Sequence, residues 1–428
     1  MGSIADAVPL APEDRAILAL EGPTVAGHTC KVVVLGPGAP GAAALRDAVA
    51  SRLAGAPLLT RRLGGSQDAP AWVPDPGFDL AAHVVDAPVD APLDGPGLRA
   101  LVAGLFAERL DRARPLWRID VAPLDGGGRA LVWRIHHALA DGTAAMRYAS
   151  TLLWDPDDAS GDPAARRAPQ AAATVHDHTH PDDTRRRRHL AATLRRELAR
   201  SHERSPFDGR IGARRSVAFA TVPLAPLHDA ARRAAQATVN DAVLAVVAGA
   251  LRRWLQARHG PLGDVRVRVP VSLHHEGDDS ANRDSFFDVA LPLGAGDPVE
   301  RLRAVRAATA ECKEEHDAET MDALLRELAA VAPALERFAE RVEASPRRFA
   351  VSVSNVPGPR GPVHVLRAPV RSLHALAEIG RRHALRIAVV SATGTLGFGL
   401  CADPDLVDGL DDLAAGIEAE AALLAAAG

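Results

Sequence analysis

The sequence predicts an α+β fold with two halves, each of which mixes β-strands with α-helices. Short apolar runs typical of strands alternate with longer segments of helical period in both halves. The 428 residues are too many for one ordinary core. A stretch from Asp155 to about Asp183 is rich in Asp, Pro, Ala and His and has no hydrophobic period, so we interpret it as a linker. The predicted division is residues 1–154, a linker and connecting helix over 155–214, and residues 215–428.

The composition is typical of a soluble globular protein, with 47% hydrophobic and 24% charged residues. The net charge of −4 gives no reason to expect a nucleic-acid partner. No apolar run approaches the ~18 residues of a membrane span and no signal segment opens the chain, so we expect any membrane contact to be peripheral. The three cysteines are far apart, which favours a reducing cytoplasm without a disulfide framework or a clustered metal site. The composition implies no particular oligomeric state.

The first half is expected to open with a short amphipathic helix and to continue with strands and helices separated by Gly- and Pro-rich turns. The predicted elements are a helix over Leu10–Glu21, a strand over His28–Leu35, a helix over Ala42–Leu53, a loop over Ala56–Pro76, a strand or turn over Phe78–Val85, a helix over Leu98–Leu110, a strand from Pro115, a hairpin turn over Asp125–Gly128, a strand over Ala130–Ile135 and a helix over Thr143–Trp154.

A Gly-x-Gly-x-x-Gly string, Gly36–Gly41, lies between a predicted strand and a predicted helix and raises the alternative of a dinucleotide site. Pro37 and Pro40 remove two backbone N–H groups that a phosphate cradle requires. No strand ending in Asp or Glu follows ~20 residues later, where a ribose would be held. We therefore interpret the segment as a loop.

The second half repeats the mixture of strands and helices. Asn240 and Asp241 open its long apolar helix, and a capping role alone can explain one of them. The predicted elements are strands over Ser216–Val222, Val265–Leu273 and Phe349–Ser354, a polar loop over His274–Ser285, a forced turn over Asn355–Pro359, a hairpin of Leu385–Val390 and Leu396–Cys401, and helices over Arg185–His202, Leu224–Ala235, Thr238–Leu255, Pro298–Glu315, Asp322–Val342 and Leu406–Ala426.

The segment Arg134–Gly142 reads Arg-Ile-His-His-Ala-Leu-Ala-Asp-Gly and lies at a predicted strand-to-helix corner. Side chains at such a corner project from rigid backbone into a cleft. Either histidine, His136 or His137, can take a proton from an alcohol or a thiol. Asp141 can hold the loop, and Gly142 leaves room for a substrate. The structural alternative is that the histidines end a strand and Asp141 caps a helix.

Three other polar tracts are interpreted as structural. His274–Asp279 repeats the His-His-x-x-x-Asp pattern but is followed by Ser280 in place of Gly, so we expect a polar loop. The alternating histidines of His176–His180 lack strong fixed metal ligands nearby. The basic run Arg185–Arg188 is typical of a solvated helix face. We therefore predict no metal site.

The His-His-x-x-x-Asp-Gly string resembles the active-site motif of the CoA-dependent acyltransferase superfamily. Together with its flanks, it resembles the bacterial wax ester synthase/diacylglycerol acyltransferase family over nearly the whole chain. Several rare strings in one order carry the resemblance. They are Leu10–Glu21, Leu110–Trp117, His136–Gly142, Phe207–Gly212, Ala237–Asp241, Val269–Leu273 with Asn282, Ser354–Pro359 and Gly397–Asp403.

The resemblance implies two chloramphenicol-acetyltransferase-like subdomains, each a mixed β-sheet flanked by helices, with an active-site tunnel between them. Acyl-CoA is implied as a substrate, and no cofactor is implied. His137 would be the general base, which takes the hydroxyl proton and then protonates the departing CoA thiolate. His136, Asp141 and Gly142 would complete the catalytic loop. No acyl-enzyme is implied, in agreement with the absence of a Gly-x-Ser-x-Gly nucleophile elbow from the sequence.

The same resemblance implies residues that shape the tunnel or support the site from outside the histidine loop. Asn240 would act directly or by holding the interface between the subdomains. The substrate-binding residues expected on this basis are Pro115, Trp117, Asn240, Asp241, Asn282, Ser354 and Asn355.

The implied function is transfer of a fatty acyl group from acyl-CoA to the hydroxyl of a diacylglycerol or a long-chain alcohol. It would take place in the cytoplasm or at the surface of the inner membrane or a lipid droplet. One alternative is a condensation-type or tailoring acyltransferase that acylates a natural-product hydroxyl or amine from a CoA or carrier-protein thioester. The linker is short of apolar residues, and Thr393–Gly394 stands where the family often has an aromatic residue before Gly, which leaves the acceptor open. A third alternative, a non-catalytic binding protein, is disfavoured by the intact loop.

Overall fold

The computed structural model describes residues 7–66, 69–156, 205–260, 265–272, 284–315 and 349–427. These residues form two six-stranded sheets, a three-stranded sheet near the N-terminus and eight α-helices. Both large sheets contain parallel and antiparallel pairs and have flanking helices. The predicted α+β class with a mixed sheet in each half is therefore confirmed.

The elements are numbered in chain order. The helices are α1 (Pro12–Leu20), α2 (Ala42–Arg52), α3 (Gly95–Ala107), α4 (Gly142–Leu152), α5 (Leu224–Ala235), α6 (Val239–His259), α7 (Pro298–Glu315) and α8 (Leu410–Ala427). The strands are β1 (Val8–Pro9), β2 (His28–Leu35), β3 (Arg61–Gly65), β4 (Pro70–Pro74), β5 (Val84–Asp86), β6 (Trp117–Pro123), β7 (Arg129–His136), β8 (Ser216–Pro223), β9 (Val265–Ser272), β10 (Asp284–Leu291), β11 (Val351–Val356), β12 (His364–Val365), β13 (Ala368–Ala377), β14 (Leu385–Ala392) and β15 (Thr395–Ala402).

The first large sheet has the strand order β12-β13-β2-β7-β6-β5. In its centre β2 and β7 pair antiparallel, with His28 opposite His136. Successive side chains of a strand point to opposite faces. The face that carries Val32 packs against α3, and the face that carries Val33 packs against α2 and α4. The histidine loop therefore leaves a strand that is buried on both faces.

The second large sheet has the strand order β10-β9-β11-β14-β15-β8, and α5 to α8 belong to its core. Helix α6 is buried over nearly its whole circumference from Asp241 to Leu251, because it lies between neighbouring helices and the sheet. Arg301 of α7 forms a buried ion pair with Glu420 of α8. Gly249 of α6 makes room for this pair, since a Cβ there would lie 2.6 Å from Arg301 Nη2.

The two sheets exchange a segment of the chain. Strands β12 and β13 follow β11 in the sequence but join the first sheet, where β13 pairs with β2. On its way β13 crosses β15 at close range, because a Cβ on Gly397 or Gly399 would overlap the carbonyl oxygen of Leu373 or Ala375. The first sheet is thus not built from the N-terminal half alone, which the strand pattern does not predict. The division at 1–154, 155–214 and 215–428 itself stays a prediction.

Most of the predicted elements within the described residues are confirmed to within a few residues, and the exceptions are strands. The predicted loop Ala56–Pro76 is wrong, because β3 and β4 form a hairpin that also pairs with β1. The Gly and Pro residues of β3 and β4 have a low intrinsic preference for strands, which is why the sequence predicts a loop. Hydrogen bonding between the paired strands overrides this preference. Strand β11 runs two residues beyond the predicted Ser354 to Val356, and Asp284 and Ser285 begin β10 instead of ending the predicted polar loop. The sequence predictions also miss the rest of β10 and three whole strands, β1, β12 and β13.

Several predicted segments lie outside the described residues. They are most of the linker with its alternating histidines, the basic run with the helix over Arg185–His202, the helix over Asp322–Val342 and the polar loop with its second His-His pair. Within the described ranges, no single helix is long and apolar enough to cross a membrane. Helices α5 and α6 pass the same length and composition test only as a pair, and that pair is bent by 96°.

Candidate active site

The histidine loop occupies the corner between β7 and α4, as the sequence predicts. Strand β7 ends at His136, and α4 begins at Gly142. The Asp141 carboxylate is 3% exposed and accepts a hydrogen bond from the Ala144 N–H at 2.6 Å. Asp141 is therefore the N-cap of α4, which agrees with its structural interpretation and with its expected role as an anchor of the loop.

His136 is buried behind the loop and is oriented by two local contacts. Its Nδ1 accepts a hydrogen bond from the Ala138 N–H at 3.1 Å, so the neutral ring carries its proton on Nε2. That Nε2 lies 3.5 Å from Glu21 Oε2, which is longer than an ideal hydrogen bond. Gly27 makes room for the ring: its φ is +75°, and a Cβ there would lie 2.6 Å from Nε2.

Glu21 is a buried carboxylate that directly follows α1, at the start of the connection to β2. Its side chain is 3% exposed, and its ion-pair partners are Arg112 at 2.6 Å and Arg109 at 3.5 Å. Burial acts to raise the pKa of Glu21, but the nearby His136 ring and the Arg112 guanidinium outweigh burial, and the pKa lies below its ordinary value. Glu21 is therefore ionised at neutral pH and faces the proton-bearing edge of His136.

His137 is the half-buried second histidine of the pair. Its backbone N–H donates to the Gly27 carbonyl at 2.9 Å. Burial and the Arg386 cation lower the pKa of His137 to about 4, against the opposing effect of Asp141. The imidazole is consequently neutral at pH 7, which is the form that can accept a proton.

The loop that holds His137 is itself held by the C-terminal half. The Ala26 N–H donates to Glu378 Oε2 at 2.9 Å, and Arg215 Nε donates to Glu378 Oε1 at 2.9 Å. The side chains of Arg215 and Glu378 are 1% and 10% exposed, and burial raises the pKa of Glu378 despite the neighbouring guanidinium. Because Gly27 directly follows Ala26, this ion pair sets the position of the carbonyl that binds His137.

Strands β11 and β14 face the histidine loop from the second sheet. Ser354 lies opposite Ala388, which belongs to the apolar cluster around the loop. Two residues further along the same face, Val356 approaches Gly142 so closely that a Cβ on Gly142 would lie 2.8 Å from Val356 Cγ2. Gly142 thus permits close approach of the two halves, and Ser354 lies on the face turned to the loop. Asn355 alternates to the opposite face of β11.

The Pro-Leu-Trp string lies beside the end of β7. The Leu116 carbonyl accepts a hydrogen bond from the His136 N–H at 2.9 Å, and the Pro115 carbonyl accepts one from the Trp117 N–H at 2.8 Å. The Trp117 side chain is 1% exposed and donates from Nε1 to the Leu59 carbonyl at 2.7 Å. Trp117 is therefore a core residue of the N-terminal half, and its indole contact with substrate stays a prediction.

Asn240 and Asp241 lie in the first turn of α6. Asp241 forms a capping box with Thr238, and the Thr238 N–H donates to Asp241 Oδ2 at 2.9 Å. The Asp241 carboxylate also accepts a hydrogen bond from Thr309 Oγ1 of α7 at 2.7 Å. The capping role is confirmed for Asp241, and Asn240 is half-buried next to it. Substrate binding by this pair stays a prediction, and Asn282 lies outside the described residues.

Sequence patterns do not single out four further residues around the loop, namely Glu21, Gly27, Glu378 and Arg386. Glu21 ends the Leu10–Glu21 string of the resemblance, and this is the one signal that points to it. Gly27 contacts the histidine pair directly, Glu378 acts through Ala26, and Arg386 acts through its charge. All three come from segments that are far from the histidine loop in the chain. The described residues contain no group of three or more His, Cys, Asp or Glu side chains placed as metal ligands would be.

The fold and the histidine loop together define a class of protein, the acyltransferases with two mixed sheets and a His-His-x-x-x-Asp-Gly corner. The family model described as the wax ester synthase/diacylglycerol acyltransferase catalytic domain matches residues 10–199, and the model of the WS/DGAT C-terminal domain matches residues 281–424. A relative from Mycobacterium tuberculosis, described as a probable diacylglycerol O-acyltransferase, is 31% identical over 389 residues, which cover 84% of this chain and 82% of that protein. A second relative, from Mycobacterium bovis and described as a putative diacylglycerol O-acyltransferase, is 32% identical over 374 residues, which cover 77% of this chain and 72% of that protein. The chain belongs to the wax ester synthase/diacylglycerol acyltransferase family.

Two solved structures share this fold. The wax ester synthase/diacylglycerol acyltransferase of Marinobacter aquaeolei is 24% identical, covers 97% of this chain and 98% of its own, and superimposes with a TM-score of 0.71. The first condensation domain of the calcium-dependent antibiotic synthetase is 18% identical, covers 99% and 96%, and superimposes with a TM-score of 0.61. At these identities the likeness is one of fold.

Proposed function

We propose that this chain is an acyl-CoA-dependent O-acyltransferase that moves a fatty acyl group to the hydroxyl of a diacylglycerol or a long-chain alcohol. The products are triacylglycerol or wax ester. The observation that carries the proposal is a neutral His137 held at the junction of the two sheets by Gly27. Family membership and the names of the mycobacterial relatives support the same reaction.

His137 acts as the general base. It accepts the proton of the acceptor hydroxyl as the oxygen attacks the thioester carbonyl carbon. The carbon–sulfur bond then breaks, and the imidazolium returns the proton to the CoA thiolate. General base catalysis contributes on the order of 10²–10⁴-fold, and positioning and desolvation supply the rest. Acyl-CoA is a substrate of this direct transfer, which uses no further cofactor.

The neighbouring residues position this base. His136 and Glu21 fill the space behind the loop, Asp141 caps α4, and Gly142 allows β11 to approach. Ser354 is in a position to line the tunnel, because it lies on the face of β11 that is turned to the loop. In this proposal the remaining predicted residues line the tunnel or support its walls and take no part in the proton transfer. They are Pro115, Trp117, Asn240, Asp241, Asn282 and Asn355.

A second candidate is a condensation-type acyltransferase with a natural-product hydroxyl or amine as acceptor. The fold likeness to a condensation domain favours it, because that likeness extends over 99% of the chain. The same base would serve both reactions. The two differ in the donor, which is acyl-CoA in the first and a CoA or carrier-protein thioester in the second.

We place the reaction in the cytoplasm, with peripheral contact to the inner membrane or a lipid droplet. Leu20, at the end of α1, is 55% exposed. Arg381 donates to the Leu20 carbonyl at 3.3 Å, and Arg112, which is paired with Glu21, donates to the Leu18 carbonyl at 3.2 Å, so two basic side chains lie at the end of α1. An apolar residue among cations suits an anionic lipid surface.

The experiment that tests the proposal is thiol release from palmitoyl-CoA, followed with hexadecanol, a diacylglycerol or no acceptor. His137→Ala runs beside the wild type, and His228→Ala is the matched control because that ring is 38% exposed on α5, outside the proposed machinery. Acceptor-dependent release that is lost in His137→Ala alone supports the proposal. Release that is unchanged in His137→Ala contradicts it. Release only with carrier-bound or short acyl donors favours the second candidate.

A further inference from the structure

Lys31 is a cation in the interior of the first sheet. It lies in the middle of β2 and is 3% exposed. Directly opposite it are Trp133 on β7 and Ala375 on β13, which are both buried. Residues opposite each other in antiparallel strands project to the same face. The Lys31 side chain therefore lies on the apolar face that packs against the histidine loop and α4.

This ammonium group has no counter-ion in direct contact within the described part of the chain. No described residue accepts a hydrogen bond from Lys31 Nζ or lies within ion-pair distance of it. Burial lowers the pKa of Lys31 to about 8, although the Cys30 thiol and the Asp141 carboxylate act to raise it. The amine is thus mostly protonated at pH 7. A buried charge without a partner is destabilising, so buried charges are normally paired.

We propose that a carboxylate of the substrate supplies the missing charge, so that Lys31 selects an acceptor or an acyl donor that carries an acid group away from its reacting end. The inference deepens the proposed function and rests on it. Lys31 lies opposite Trp133, which is four residues before the proposed base His137 in the chain. This spacing corresponds to roughly 13 Å of extended chain. An aliphatic chain of about ten carbons between acid and reacting group would span it.

A carboxylate fits this position better than a phosphate does. A single ammonium between Trp133 and Ala375 offers one cation in apolar surroundings. Phosphate groups carry more charge and are typically bound by several donors, whereas one ammonium balances one carboxylate. A fatty chain bearing one acid group would place its hydrocarbon against the apolar face and its charge on Nζ.

The first test measures binding without turnover. Thermal unfolding is followed for the wild type and for Lys31→Met, which keeps the side-chain length and removes the charge, with decanoate, methyl decanoate or 1-decanol. A ligand that binds only the folded state raises Tm. We expect decanoate to raise Tm in the wild type much more than in the variant, and the two neutral ligands to act alike on both proteins. Equal protection of both proteins by decanoate would overturn the inference.

The second test measures selectivity and identifies which substrate carries the acid. One arm compares 10-hydroxydecanoic acid with 1-decanol as acceptors, and the other compares decanedioyl-CoA with decanoyl-CoA as donors. Each arm gives the ratio of kcat/KM for the acid substrate to kcat/KM for the neutral one. Because Lys31→Met removes a charge-assisted contact with the acid, we expect it to reduce this ratio about tenfold or more in one arm. The arm in which the ratio falls names the source of the carboxylate.

Failures of the two proposals give different results. If thiol release requires His137 but neither selectivity ratio changes in Lys31→Met, acyl transfer stands and the carboxylate inference is overturned. If decanoate protection requires Lys31 but no acceptor supports thiol release, the carboxylate site is supported and the proposed function is overturned.

Discussion

His137 owes its proposed reactivity to the groups around it more than to the imidazole itself. Its backbone is bound by the Gly27 carbonyl, and burial with the Arg386 cation keeps the ring neutral at pH 7. His136, one residue earlier, faces Glu21 in the interior. Two adjacent histidines therefore have different environments, and only His137 is partly open to a substrate.

The pKa of His137 predicts the acid side of the rate profile. A general base acts in its neutral form, so kcat/KM should stay level as pH falls from 8 to 6 and decline only as pH approaches about 4. The measurement is thiol release against pH with 1-decanol as acceptor. Arg386→Met should shift the decline to higher pH, because it removes a cation that lowers the pKa of His137. A decline centred near pH 6.5 in the wild type would contradict the prediction.

At the scale of single residues, local sequence predicts the loop but not its surroundings. The residues of the loop lie close together in the chain, namely His136, His137, Asp141 and Gly142. Their strand-to-helix corner follows from the apolar runs on either side. Glu378 supports this loop indirectly, through Ala26, from which it is 352 residues away in the chain. Such a contact depends on how the sheets pack, which no local pattern contains.

At the scale of elements, two connections join the halves around the site. The segment before β2 is bound through Ala26 to Glu378 and Arg215. Strand β13 leaves the C-terminal half and completes the first sheet beside β2. Both connections meet at Glu378, which directly follows β13. The position of the histidine loop is therefore coupled to the contact between the sheets.

A double-mutant cycle tests the Arg215–Glu378 pair. Removing one partner of a buried ion pair costs about 3–5 kcal/mol of unfolding free energy, because the other charge stays buried and unpaired. We expect Glu378→Leu and Arg215→Met each to lower the free energy of unfolding by about that amount. The double variant should lower it by clearly less than the sum of the two single effects. Urea unfolding measures the three values. Strict additivity would mean that the two side chains do not interact.

Gly397 and Gly399 are expected to tolerate no side chain. A Cβ at either position would overlap a β13 carbonyl oxygen, so Gly397→Ala should destabilise by about 2 kcal/mol or more through overpacking. Gly104 of α3 is the matched control, because no atom lies within 4 Å of a Cβ built there. Gly104→Ala should be neutral or stabilise by up to about 1 kcal/mol, since Ala favours helix. Equal melting temperatures for the two variants would contradict the close crossing.

At the scale of the whole molecule, the two apolar cores are each shared by both halves. The core that contains Val32 and α3 continues into β8 and α6, and the core that contains the histidine loop includes Ala388 of β14. Neutral histidines are buried in these shared regions. Burial lowers the pKa of His28 to about 3 and the pKa values of His137 and His374 to about 4.

These histidines predict a loss of stability in mild acid. An unfolded histidine titrates near pH 6.5, so between pH 6.5 and 4 the unfolded chain binds protons that the folded chain does not. The free energy of unfolding should therefore be level above pH 7 and fall by roughly a few kcal/mol by pH 5. Urea unfolding at pH 7.5, 6 and 5 checks this, with His374→Gln as a variant that should flatten the profile. A free energy of unfolding that does not change over this range would show that the rings bind protons in the folded state as readily as in the unfolded chain.

The sequence by itself determined the α+β class, most of the helices and strands, and the histidine loop with its resemblance to the wax ester synthase/diacylglycerol acyltransferase family. These features follow from residues that are close in the chain, where periodicity, capping and turn chemistry act. Only the tertiary structure decided that β13 joins the first sheet, that Glu21 and Glu378 support the loop from two sides, and that Lys31 has no counter-ion among the described residues. Those properties arise from contacts across the two sheets, and the energy of such contacts depends on packing that no short stretch of sequence specifies.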